Sequence, residues 1–175
     1  MLGSEPSRRV FLVGPMGAGK TTIGQLLAKH LGYNFLDSDR EIEEHTGATI
    51  PLIFELEGEE GFRRREIHAI DELTQNLDIV LATGGGAVLR PENRSALSTR
   101  GIVVYLHASI EQLYQRTAKD RHRPLLQTSD PRARLRQIMQ EREPLYREVA
   151  RIIVDTTGKP VSVVVQEIVD GLARA

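Results

Sequence analysis

Residues 9–31 read RVFLVGPMGAGKTTIGQLLAKHL, and the order of their parts decides the fold. Arg9 to Val13 is a short β-branched and apolar run, the pattern of a strand buried on both faces of a parallel sheet. Gly14 to Thr21 matches G-x-x-x-x-G-K-[ST] at every fixed position. Ile23, Leu26, Leu27 and Leu31 then recur on one face of a helix that Gly32 stops. A glycine-rich turn that only joined strand to helix would need neither the lysine nor the threonine. Here the backbone N–H groups of Gly14, Gly17, Ala18 and Gly19 can curl around a nucleotide β-phosphate, with the positive helix N-terminus behind them. Lys20 reaches the β and γ oxygens, Thr21 offers its hydroxyl to Mg²⁺, and Thr22 supports the loop or an α-phosphate.

Strands and helices keep alternating beyond this unit. Tyr33 to Leu36 is strand-like, and Ser38 caps a helix that carries Ile42 and closes near Gly47. Thr49 and Pro51 open another helix, and Glu59 to Leu77 continues helically with Phe62, Glu66, Ile70 and Leu73 on one face. Ile79 to Ala82 and Ile102 to Leu106 are strands separated by a helix from Pro91 to Gly101. Ser109 with Gln112 forms a capping box for a helix ending near Thr117. Residues 118–130 have few apolar groups and read as a mobile surface loop, followed by a helix over Pro131 to Val149. Ile152 to Val154 and a closing helix with Val161, Val164, Val165, Ile168, Val169 and Leu172 inward complete the chain. The pattern predicts one three-layer α/β/α P-loop domain over residues 1–175, with about five parallel strands.

The chain has 175 residues, 40% hydrophobic, enough for one core and too few for two full domains. With no cysteine there is no disulfide framework and no thiolate metal site or nucleophile. No apolar run approaches a membrane span, and MLGSEPSRR lacks a signal-peptide core, so a soluble cytoplasmic protein is expected. A net charge of -1 argues against a nucleic-acid binder. The cations are chiefly Arg, which grips phosphate or carboxylate through a bidentate fork. They gather between Arg116 and Arg151, as the acids gather between Asp37 and Glu60.

The P-loop fixes a nucleotide without fixing a reaction, and the other loops must decide. No Asn-Lys-x-Asp for reading guanine is present, and the size suits a kinase of a small acceptor. Asp37 and Asp39 stand at the carboxyl end of the second strand, where open α/β sheets bind ligands. Side chains two apart at a strand end need not share a partner, so one carboxylate can hold a water on Mg²⁺ while the other meets the acceptor hydroxyl. The third strand ends without an acid, which favours Asp37 for the metal side. In FRRRE, Arg63 and Glu66 share a helix face, whereas Arg64 and Arg65 point to solvent. Gly84-Gly85-Gly86 is too costly in chain entropy for an ordinary connection and implies close approach of the backbone to a ligand. Arg142 shares the apolar face of its helix with Leu135, Ile138, Met139 and Leu145, where a charge is expensive unless it meets an anion. Arg123 lies in the basic loop, placed to close over a γ-phosphate. Phe54 suits the core or a pocket wall, and the five histidines show no metal-ligand spacing.

Taken together, GPMGAGKT, LDSD, FRRRE, TGGGA, RPLL and REPLYR, in this order, resemble the shikimate kinase family along essentially the whole chain. The resemblance implies a nucleoside-monophosphate-kinase-like fold with strand order 2-3-1-4-5 and transfer of the ATP γ-phosphate to the 3-hydroxyl of shikimate. It implies a lid near 118–130 and a substrate-binding region near 38–66. By position, Lys20 and Thr21 would serve phosphate and Mg²⁺, and Asp37 the metal through water. Asp39 would bind the shikimate hydroxyls and accept the proton. Arg63 and Arg142 would bind the carboxylate, with Gly84 to Gly86 on the substrate, Phe54 and Phe62 at the pocket and Glu66 bracing Arg63. Arg123 would be the lid arginine, and Arg116 and Pro160 the adenine edge. The family further implies a monomer acting on ATP and shikimate alone. A gluconate-type kinase, sharing the P-loop but lacking the Asp-x-Asp, Phe-Arg and triple-glycine set, and a non-catalytic ATP-binding regulatory module are the rival readings.

Overall fold

The computed structural model describes residues 8–118 and 128–175. Strand β1 (Arg9–Val13) is buried but for its first residue, and helix α1 (Lys20–Leu31) starts directly after the glycine-rich turn. Then follow β2 (Asn34–Asp37), α2 (Ser38–Thr46), α3 (Ile50–Leu73) and β3 (Ile79–Ala82). A short 3₁₀ turn at Ala87–Leu89 leads to α4 (Pro91–Arg100), β4 (Ile102–His107), α5 (Ile110–Thr117), α6 (Pro131–Val149), β5 (Ile152–Asp155) and α7 (Val161–Arg174). The five strands form one all-parallel sheet in the order β2-β3-β1-β4-β5. Helix α1 packs with α7 against the sheet, and α4 with α6 makes a second layer, as crossover helices in a parallel sheet require. The carboxyl ends of β1, β2 and β3 therefore open at one edge, where Lys20, Thr21, Asp37, Asp39, Gly84 and Gly85 line a cleft.

The main core runs through β1, β3 and β4 and the inner faces of α1, α6 and α7. A second, smaller cluster of Ile42, Ile53, Phe62 and Ala69, with Ala48, Ile50 and Phe54 packed on it, joins α2 to α3 apart from that core. Helix α3 is broken at Gly58, whose φ of 71° and ψ of 179° lie outside helical space. A side chain there would meet the left-handed penalty, so glycine makes the break permanent.

Several boundaries differ from the sequence expectation for local reasons. Helix α2 is capped by Asp37, whose Oδ1 accepts from Asp39 N at 3.0 Å and Arg40 N at 3.3 Å. The expected cap, Ser38, is instead buried, and its Oγ accepts from Gly84 N at 3.1 Å. Only half of the expected capping box forms: Ser109 Oγ accepts from Gln112 N at 3.2 Å, but the Gln112 side chain turns to accept from Gly158 N. Helix α3 stops at Leu73 and not near Leu77: Thr74 is its C-cap, and the N–H groups of Gln75 and Asn76 turn back to the carbonyls of Glu72 and Leu73, three residues earlier, which tightens and closes the last turn.

Candidate active site

A cleft of about 400 Å³ lies over the carboxyl edge of β1 to β3, lined by Lys20, Thr21, Thr22, Asp37, Asp39, Gly84, Gly85 and Arg116 among others. Its floor is the turn before α1. Gly17 and Gly19 take φ of 83° and 91°, which turns consecutive amides inward at a cost only glycine avoids. Gly19 is the N-cap of α1 and supplies no side-chain cap, so the first amides of the helix are left to an anion. Lys20 Nζ folds back over the loop and donates to Gly14 O at 2.6 Å and Pro15 O at 2.8 Å. Arg116, exposed on α5, donates to Gly17 O at 3.0 Å and so borders the loop from the other side.

The two aspartates after β2 have different duties. Asp37 caps α2 through Oδ1 and accepts from the Thr21 hydroxyl through Oδ2 at 3.1 Å. Asp39 leans over the glycine triplet, so that a Cβ placed on Gly84 would fall 2.7 Å from its Oδ1 and 2.8 Å from Glu66 Oε2. A Cβ on Gly86 would fall 2.3 Å from Arg63 Nη2. The close approach that the triple glycine implied is thus made by charged side chains of this chain, which lie directly on its backbone.

Those charges are buried. Arg63 and Arg142 are each 4% exposed and Glu66 is fully covered. Arg63 Nη1 donates to Glu66 Oε1 at 2.8 Å, and the Arg63 guanidinium lies over the Phe62 ring, which packs on Phe54 at 4.9 Å. Burial pushes the Glu66 carboxyl above the ordinary glutamate range, with the Arg63 guanidinium pulling it back. Arg63 Nε, Arg142 Nε and Glu66 Oε2 have no hydrogen-bond partner among the described residues. Arg63 also pairs through Nη2 with the exposed Glu59 at 3.4 Å, whereas buried Arg142 makes no ion pair among the described residues, so its charge is left to be met by an anion.

The family model for shikimate kinase matches residues 16–173. The chain belongs to the shikimate kinase family. A shikimate kinase of Nitrosococcus oceani is 61% identical over 165 residues, covering 94% of this chain and 87% of its own. A solved shikimate kinase from Acinetobacter baumannii in complex with shikimate is 51% identical, with a TM-score of 0.95 over 97% of this chain and 95% of that one. A gluconokinase from Sinorhizobium meliloti, at 22% identity and a TM-score of 0.64 over 97% of this chain and 93% of its own, shares the fold alone.

Among the residues expected to act in a shikimate kinase, the structure gathers Lys20, Thr21, Asp37, Asp39, Arg63, Glu66, Arg142 and the triplet around one cleft. Pro160 lies apart, as the N-cap of α7, on the loop whose Thr157 and Gly158 bond to the start of α5. Arg123 and most of the expected lid lie outside the described residues. Sequence reasoning missed Ser38 as the partner of Gly84 and Tyr146 as the partner of Gly85, because in each case a small or aromatic side chain reads first as cap or core. Membership of the family makes this chain an ATP-dependent phosphotransferase.

Proposed function

We propose that this chain phosphorylates the 3-hydroxyl of shikimate at the expense of ATP, in the cytoplasm, as a single monomeric domain over residues 1–175. The observation that carries the reading is the pair of buried arginines, Arg63 and Arg142, beside a glycine strip that runs into the phosphate cleft. An acceptor with a carboxylate answers that charge and brings its hydroxyls toward Asp39.

In this reading the amides of Gly14, Gly17, Ala18 and Gly19 hold the ATP phosphates, and Lys20 turns from the loop carbonyls to the β and γ oxygens. Thr22 steadies the loop, while Arg116, Pro160 and Arg123 border the nucleotide, Arg123 closing from a lid near 118–130. Arg63 and Arg142 fix the acceptor carboxylate, Glu66 holds Arg63, and Phe54 and Phe62 wall the region 38–66. Asp39 orients the acceptor hydroxyl and accepts its proton as the O–P bond forms.

Mg²⁺ fits the oxygens present. No group of three or more His, Asp or Glu among the described residues could hold a metal by itself, but Thr21 and Asp37 offer two adjacent oxygens beside the phosphate site. That is the sparse protein contribution Mg²⁺ takes when phosphates and water supply the rest. Bound there, the ion would neutralise charge on the β and γ phosphates. Thr21 would ligate it directly and Asp37 through water.

ADP release measured against shikimate, gluconate and a panel of nucleoside monophosphates tests the reading. Turnover with shikimate alone is expected; turnover confined to the other acceptors overturns it. No helix among the described residues is long and apolar enough to cross a membrane.

A further inference from the structure

The REPLYR segment holds a second buried polar side chain besides Arg142. Tyr146 lies on α6 one turn after Arg142, on the same buried face, and is completely covered. Its hydroxyl donates to Gly85 O at 2.5 Å. Gly85 is itself a wedge: a Cβ built there would stand 3.3 Å from Met16 N, 3.7 Å from Gly14 O and 3.6 Å from Arg142 Nη1. The residue that Tyr146 holds therefore touches the phosphate loop on one side and an acceptor arginine on the other.

A position that required only volume would be filled by phenylalanine, since a buried hydroxyl costs free energy unless it is bonded. The ring is also fixed from behind. Tyr105 packs on it at 5.1 Å, and the Tyr105 hydroxyl donates to Glu143 Oε2, whose other oxygen accepts from Arg147 Nε at 2.8 Å. Residues 143, 146 and 147 of α6 are thereby tied to β4. Burial pushes the Tyr146 hydroxyl up to about 12, with the neighbouring Arg142 pulling the other way, so it stays a neutral donor through the working pH range.

We propose that Tyr146 is a positioning residue for the acceptor, its hydroxyl setting the Gly85 carbonyl and the Arg142 guanidinium in register with the phosphate loop. The proposal rests on the reading of Arg142 as a carboxylate ligand. Its test is Tyr146→Phe, which keeps the ring and removes one atom. The KM and calorimetric Kd for shikimate should each rise about tenfold, about 1.4 kcal/mol, with the KM for ATP within about twofold of wild type. In an Arg142→Lys background the same change should add little, because the two side chains act through one contact. A residue that only packed the core would lower the melting temperature and leave the shikimate Kd of the folded protein alone. An unchanged shikimate Kd in Tyr146→Phe, with wild type active on shikimate, overturns the proposal. A wild-type protein that neither binds nor phosphorylates shikimate overturns the reading beneath it as well.

Discussion

Replacing Gly86 by alanine places one methyl group on the acceptor side of the cleft and nowhere else. The new Cβ would lie 2.3 Å from Arg63 Nη2 and 2.6 Å from both Cζ and Nη1, where real contacts do not come closer than 3.0 Å. The guanidinium must retreat by about 0.7 Å. It cannot simply swing into solvent, because Arg63 is 4% exposed and its Nη1 is bonded to a fully buried Glu66. The retreat therefore spoils a charge-assisted fork, a loss of about 1.5 to 3 kcal/mol, or roughly ten- to hundredfold in acceptor binding. The backbone conformation is not at issue, since Gly86 has a φ of -95° that alanine adopts freely. The assay is initial rate of ADP release at saturating ATP with shikimate varied, beside thermal unfolding. The KM for shikimate should rise by that factor and the KM for ATP should hold. A shikimate KM within about twofold of wild type in a protein that melts normally would refute the claim that Arg63 is held against the glycine strip and grips the acceptor.

Three further outcomes are expected. Lys20→Ala should abolish turnover while leaving shikimate binding by calorimetry intact, because its ammonium bonds to the phosphate-loop carbonyls of Gly14 and Pro15; residual turnover above about a hundredth of wild type would contradict this. Glu143→Gln tests a pH-dependent contribution. Burial alone would raise the Glu143 carboxyl, but the Tyr105 and Arg147 hydrogen bonds outweigh it and hold the carboxyl below its ordinary range. A lowered value means stability that is present above the unfolded-state value and lost as pH falls through the folded one. The wild type should thus exceed the variant by about 1 kcal/mol at neutral pH, and the gap should close in acid; a gap that widens in acid would reverse the sign. Gly24→Ala should destabilise by about 1 to 3 kcal/mol, seen as a lower melting temperature, since its Cβ would stand 2.6 Å from the Phe35 ring and 3.2 Å from Leu12 Cδ1. Helix propensity alone predicts the opposite sign.

Much of this was legible in the chain because the informative residues announce a backbone or a charge problem. The P-loop, the proline-started helices and the strand runs of β1, β3 and β4 follow from local rules, and α1 begins and ends where the pattern puts it. Arg142 was recognisable because a cation on an apolar helical face demands a partner. What escaped was long-range. Ser38 and Asp37 exchange the capping role only because Gly84, 46 positions later, needs a buried acceptor for its N–H. The break at Gly58 is invisible to periodicity because helical residues flank it on both sides. The triple glycine was read as a close approach of backbone to a ligand; Gly84 and Gly85 do line the cleft, but that the side chains of Asp39, Glu66 and Arg63 also lie against the triplet is seen only in the folded chain.

The small cluster of Ile42, Ile53, Phe62 and Ala69 stands apart from the core that supports the phosphate loop. The contact between α2 and α3, the helices that carry Asp39 and Arg63, therefore rests on a packing unit of its own. A cavity opened in this cluster would be felt at those two side chains before it reached the sheet under the phosphate loop.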